Sequence, residues 1–185
     1  MTPPPTAPTE SQQRSHKARH LAAHAIVALR AGFRVERIEL KTASTSQSGV
    51  TCDWKQSRAV YHDDEKLIHR SFAMVFIGGI VDQEKLQSLP DELQGEMKAD
   101  MAAAEDCRET AVAWNLAESV QETNPFARIG YKLASRLLKK DRALIDDLAT
   151  YLAEKESLDE ASLQTWFQEN AVPYSLDELE TTNTY

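Results

Sequence analysis

Three histidines, His16, His20 and His24, stand four residues apart in the stretch HKARHLAAHAIVALRAG, residues 16–32. Side chains four apart lie on one face of an α-helix, one turn from each other. Zinc takes neutral imidazole nitrogens, and a pair at i and i+4 can converge on one ion. Zinc hydrolases that use this spacing place a glutamate directly after the first histidine as a general base. Here that position is Leu21. The competing explanation is a polar stripe, solvated or partly buried, because short motifs of this kind also arise by chance.

An open zinc site needs a third protein ligand and leaves one position for water. Asp100 is one candidate. It opens DMAAAEDC, residues 100–107, whose small residues allow close helix packing. His62 and His69 are the others: His62 is expected in the loop after the strands, and His69 is expected to face solvent. Spacing alone prefers neither of them over Asp100.

Stepping outward from these residues, the elements that must hold them are mostly helical. The apolar stripe Ala18, Ala22, Ala25, Ile26 and Leu29 predicts a first helix from about Ser11 to Ala31. Gly32 is placed to end it in a left-handed cap. FRVERIEL, residues 33–40, leans towards a strand. VTCDW, residues 50–54, alternates cleanly, so the two could pair across the polar loop 41–49 as a long-looped hairpin. A second helix is expected over 63–78, with Leu67, Ile68, Phe72, Val75 and Phe76 buried and Gly78–Gly79 either breaking it or packing it closely. A long helix follows from about Asp91 to Val120, with Met97, Met101, Ala104, Ala111 and Trp114 as core. Asn124–Pro125 signals a further helix, asparagine capping and proline at the first position, continuing to about Lys155. Ser157-Leu-Asp-Glu160 reads as a capping box opening a helix through Phe167, and Ser175–Glu178 repeats the pattern for a last turn.

The totals agree with that class. The chain has 185 residues, 42% of them hydrophobic and 7% aromatic, with only six glycines, which favours one mostly helical domain with a small β element. We divide it into a Pro-rich disordered arm (1–12), the helical domain (13–170) and a polar acidic tail (171–185). A net charge of −8 argues against a nucleic-acid or anionic-membrane partner. No run approaches the ~18 apolar residues of a membrane span, and the N-terminus lacks the apolar core of a secretory signal. Cys52 and Cys107 match no CxxC pattern and read as reduced, buried thiols of a cytoplasmic protein.

The order of these features resembles the peptidase domain of the FtsH family of ATP-dependent zinc metalloproteases (peptidase family M41), from about Ser15 to Phe167. HLAAHAIVAL (20–29) stands where that family has its HExGHA helix. VERIEL (35–40) followed by SGVT (48–51) is similar to its strand and LGYT-like segment. FAMVFIGGIVDQE (72–84) is similar to its helix with a Gly-Gly pair and acidic residues. ADMAAAED (99–106) looks like the stretch holding its aspartate ligand. DRALIDDLATYLAEKESLDEASL (141–163) is similar to its C-terminal leucine-rich helix, Glu-x-Leu turn and following helix. The resemblance implies a mostly helical fold and a zinc site of His20, His24 and Asp100.

The departures bear on chemistry. Leu21 replaces the catalytic glutamate and Ala23 the glycine before the second histidine. Val81, Asp82 and Gln83 interrupt the usual Ala-Ala-Glu. No GxxxxGK[ST] phosphate loop occurs, so there is no ATP site by that route. Leucine can neither accept nor donate a proton, and a positioned acid–base group contributes typically ~10²–10⁴-fold. The expectation is therefore an impaired homologue that binds a metal or a protein partner, with an ATPase acting in trans as one such partner, as a monomer or small oligomer. An active peptidase with a rearranged base, drawn from Glu105 or Glu109, and a metal-free helical interaction module are the alternatives.

Overall fold

The computed structural model describes residues 9–40, 49–53, 65–85, 91–113 and 115–181, of which 49–53, 82–85, 91–99 and 180–181 are described by backbone alone. The fold is mostly helical. Helix α1 spans Glu10–Arg30, and the strands β1 (Arg34–Glu39) and β2 (Gly49–Asp53) follow it. Then come α2 (Glu65–Lys85), α3 (Asp91–Ala113), a 3-10 turn (Val120–Thr123), α4 (Asn124–Lys140) and α5 (Arg142–Lys155). A short strand β3 (Ser157–Asp159), α6 (Glu160–Asn170) and α7 (Leu176–Thr181) complete it. No helix among the described residues is long and apolar enough to cross a membrane.

Helix α1 is fixed at both ends by its own sequence. Thr9 and Gln12 form a reciprocal capping box: the Gln12 N–H donates to the Thr9 hydroxyl and the Thr9 N–H to Gln12 Oε1. Residues 10–12 of the expected N-terminal arm are therefore helical; residues 1–8 lie outside the described residues. At the other end Gly32 takes φ 81°. The Phe33 N–H then reaches the Ala28 carbonyl and the Gly32 N–H that of Leu29, satisfying carbonyls the helix leaves open.

β1 pairs antiparallel with β2 on one side and with β3 on the other, giving the order β2-β1-β3. Its register shifts between Val35 and Arg37, so Val35 and Ile38, three apart, are both fully buried. That irregularity is why FRVERIEL only half alternates. β3 is an addition to the expected hairpin. The capping reading of Ser157 is corrected accordingly: Ser157 pairs with Glu39, and Asp159 caps α6 by accepting from the Ser162 N–H.

Helix α2 is the centre of the molecule, packed on α1, α3 and α4. α1 also packs on α5 and the sheet. The main core gathers Ala22, Ile26, Ile38, Ile77, Leu137, Leu148 and Leu163 among others. A second, smaller cluster of Ile68, Phe72, Val75, Cys107, Ala111 and Ala127 lies between α2, α3 and α4. α2 runs unbroken through Gly78–Gly79, so of the two expectations for that pair, a break and a close approach, the break does not occur.

Four further expectations are corrected. α3 ends at Ala113, short of Val120, because Asn115 adopts the left-handed conformation at φ 57° and the Leu116 N–H turns back to the Ala111 carbonyl. Met101 is 67% exposed, not core; Met97 and Trp114 lie outside the described side chains. Asn124 does not cap α4: its Oδ1 accepts from Arg108. The expected continuous helix to Lys155 is split at Asp141, which leaves helical geometry and is buried against Arg30, a bidentate partner at 2.9 and 3.0 Å, and the Tyr174 hydroxyl. Beyond residue 170, Leu176 is buried in the main core and Asp177 meets Lys66 and Arg70; residues 182–185 lie outside the described residues.

Candidate metal centre

Among the described residues, one group of three ligand-type side chains converges: His20 and His24 from α1 and Asp100 from α3. The Nε2 atoms of the two histidines are 3.1 Å apart. Asp100 Oδ1 is 3.4 Å from His24 Nε2, and Oδ2 is 3.9 Å from His20 Nε2. A tetrahedral zinc with bonds near 2.0–2.1 Å separates its ligand atoms by about 3.3 Å. The three separations bracket that value, so the group could hold a metal ion with small adjustments.

The surroundings favour that use of the three side chains. His24 Nδ1 lies 2.7 Å from the Met74 carbonyl oxygen on α2. Carbonyl oxygen only accepts, so Nδ1 carries the proton, and neutral His24 presents a lone pair at Nε2. Histidine ligands are commonly oriented by such a bond at their other nitrogen. His20 is buried, and His24 and Asp100 are 12% and 22% exposed, which leaves the group reachable from the Asp100 side. Asp100 Oδ2 is itself buried with no hydrogen-bond donor among the described residues. A buried carboxylate oxygen without a donor is destabilising unless a cation faces it.

Room for the site comes from Gly78. A Cβ at that position would stand 2.5 Å from His20 Cε1, 2.9 Å from His20 Nε2 and nearer still to His24 Nε2. The backbone of α2 therefore closes directly over both imidazoles, and any side chain there would displace them. Gly79, one residue on, has nothing within 4 Å of the same added atom. The two adjacent glycines are not equivalent: Gly78 belongs to the site and Gly79 does not. The sequence allowed a close approach at this pair but did not tie Gly78 to the histidines, and it gave no sign of the Met74 carbonyl. The available signal was two glycines inside an apolar helical stretch with no turn, since a glycine there is disfavoured by about 1 kcal/mol and implies a packing reason.

The other candidates among the described residues lie apart from this group. His16 is buried on α1 without joining it. His69 was expected to face solvent; it is buried, 3.6 Å from Glu65 and with its ring against Phe126. His62 lies outside the described residues. Leu21 is 3% exposed and part of the main core. Glu105 and Glu109 are exposed on α3, and Glu105 faces Arg108 at 3.8 Å. Cys107 is a buried free thiol in the second cluster, and the side chain of Cys52 is not described.

Fold and site together define a mostly helical protein with a His-His-Asp group able to hold a metal ion. No family model and no curated protein matches the chain.

Proposed function

We propose that this chain is a divalent-metal-binding domain of the FtsH-like peptidase type, impaired in hydrolysis, that acts as a metal- or partner-binding accessory protein. The observation that carries this reading is the meeting, beneath a glycine backbone, of two imidazole Nε2 atoms and a carboxylate whose buried Oδ2 has no hydrogen-bond donor among the described residues. Two imidazoles and one carboxylate are a ligand set used for zinc, and the same set also holds iron(II); zinc is the ion of this proposal. Bound there, zinc would supply a Lewis acid for a carbonyl and acidify its bound water.

The chain's own residues would do the rest, and one task lacks a residue. His20, His24 and Asp100 bind; the Met74 carbonyl orients His24; Gly78 keeps space for the pair. Moving a proton from water to a leaving amine requires a carrier, and Leu21 is none. The exposure of Glu105 and Glu109 speaks against either as a replacement. A partner that unfolds substrates, such as an ATPase in trans, would complement the missing phosphate loop.

Elemental analysis of protein purified without a histidine tag tests the binding. About one zinc per chain is expected, lost in His24→Ala and weakened in Asp100→Ala. Protein that stays metal-free after zinc addition overturns it. For the catalytic half, no zinc-dependent cleavage of an unfolded substrate above the His24→Ala background is expected. Clear cleavage by the unmodified chain would remove the claim of impairment. Leu21→Glu puts a carboxylate at a core position and tests residue 21 as the base position: chelator-sensitive cleavage that Leu21→Gln lacks supports it, and no gain in a folded variant shows that the loss extends beyond this residue.

A further inference from the structure

Helix α4 carries five basic residues, Arg128, Lys132, Arg136, Lys139 and Lys140, and no acidic one. The chain's net −8 thus divides into +5 on this helix and −13 elsewhere. Two of the five are committed to the fold: Arg136 donates to the Leu179 carbonyl, and the Lys140 ammonium lies 3.8 Å from the Tyr174 ring centre. Arg128, Lys132 and Lys139 are exposed, and none has an ion-pair partner among the described residues.

Those three share one face. At 100° per residue, Lys132 and Lys139 fall within about 40° of Arg128, in a stripe about 16 Å long. Tyr131 borders it, 47% exposed, its ring set edge-on against Phe76. Lys139 in the last turn suits the helix dipole, but Arg128 in the first half does not. Arg128 and Lys132, four apart, repel one another. In a chain this rich in carboxylates, an unmixed basic stripe on a solvated helix is locally unfavourable, and the packing of α4 does not require it.

We infer that the outer face of α4 is a docking surface for an acidic polypeptide, with Arg128, Lys132 and Lys139 pairing carboxylates and Tyr131 as the aromatic contact. Arginine and tyrosine are enriched where interfaces hold most of their energy. A narrow ridge suits a partner as narrow as itself. A planar anionic membrane would also approach the acidic remainder of the surface, within a screening length of about 8 Å at physiological salt.

The probe is a poly-glutamate peptide of about fifteen residues, long enough to span the stripe as a helix or extended. It is titrated against the full chain, with phosphatidylserine-containing vesicles as the parallel arm. The expected result is saturable peptide binding that weakens as salt rises from about 0.05 to about 0.5 M. Binding should fall at least tenfold in Arg128→Glu/Lys132→Glu and less in Tyr131→Ala. Arg128→Gln/Lys132→Gln, which only removes charge, guards against a folding defect in the reversal. Zinc content should be unchanged in all of them, which separates this inference from the metal reading. No peptide binding at low salt, equal binding by the charge-reversed and unmodified proteins, or capture by vesicles but not by peptide each overturns it.

Discussion

Replacing Gly78 by alanine adds one methyl group at the point where α2 meets both histidines. Ordinary contact begins at 3.4 Å, whereas the new carbon would stand 2.5 Å from His20 Cε1 and closer to His24 Nε2. α2 is packed against α1, α3 and α4, so the ring tips give before the helix does, and one or both must retreat by about 1 Å. Metal–nitrogen distances tolerate only about ±0.2 Å, so a displacement of that size removes at least one nitrogen from bonding range. Loss of a partner that merely orients a ligand weakens affinity about 10- to 100-fold. Gly78→Ala should do at least the upper end of that.

Stability should respond far less. Overpacking is destabilising by about 1–3 kcal/mol, and alanine returns about 1 kcal/mol through its better helix propensity. Gly79→Ala is the matched control: the same propensity gain with nothing within 4 Å. It should raise the melting temperature by about 2–4 °C, the shift about 1 kcal/mol produces in a domain of this size, and leave zinc affinity alone. Zinc affinity is read by competition with a chromophoric chelator, and folding by urea titration of the metal-free proteins. Equal zinc affinity in Gly78→Ala and the parent would refute the placement of the ion between the two Nε2 atoms, whatever the protein's total metal content.

Three further outcomes are expected. Gly130→Ala puts a methyl inside contact distance of Phe72 Cβ and 2.9 Å from the His69 carbonyl, and should destabilise α4 against α2 by about 1–3 kcal/mol in urea without altering zinc affinity. Asp141→Ala leaves the Arg30 guanidinium buried without its carboxylate, both side chains being 6% exposed, and should lower unfolding free energy by about 3–5 kcal/mol. Tyr174 titrates well above its ordinary 10.0, through burial first and then its hydrogen bond to Asp141 and that group's charge. Above pH 10 the unfolded chain loses this proton while the folded chain keeps it, so stability should fall as pH rises past 10. Tyr174→Phe should flatten that alkaline slope in urea titrations run across the range.

The readable parts of this fold are those where one local signal decides. Gly32 ends α1 because only a residue tolerant of positive φ fits there, and the apolar stripe before it could only face a core. The pairing of His20 with His24 follows from helical spacing. What was not legible depends on residues distant in sequence. The split at Asp141 is set by Arg30 and Tyr174, 111 and 33 residues away. β3 exists because β1 offers an open edge to Ser157–Asp159. Asn115 could have been read as a left-handed stop for α3, but its neighbours carry no other break signal. The approach of Asp100 to the histidines was available from spacing only as one choice among three, since no local pattern says which helix will cross α1 at that height.

The ligand group also spans the two apolar clusters. His20 and His24 sit on a helix anchored in the main core, whereas Asp100 sits on α3, which is held through Cys107 and Ala111 in the smaller cluster against α2. α3 packs on α2 and the 3-10 turn, and Asp100 is where it approaches the histidines of α1. On the proposed reading, an ion at this point would tie α3 to α1, and any ligand that binds only the folded state stabilises it by mass action. That contribution needs three ligands and the space Gly78 provides. It makes no use of residue 21. On the same proposed reading, hydrolysis makes the further demand of a proton carrier, which Leu21 cannot be, so holding a metal and hydrolysing a peptide are separable requirements.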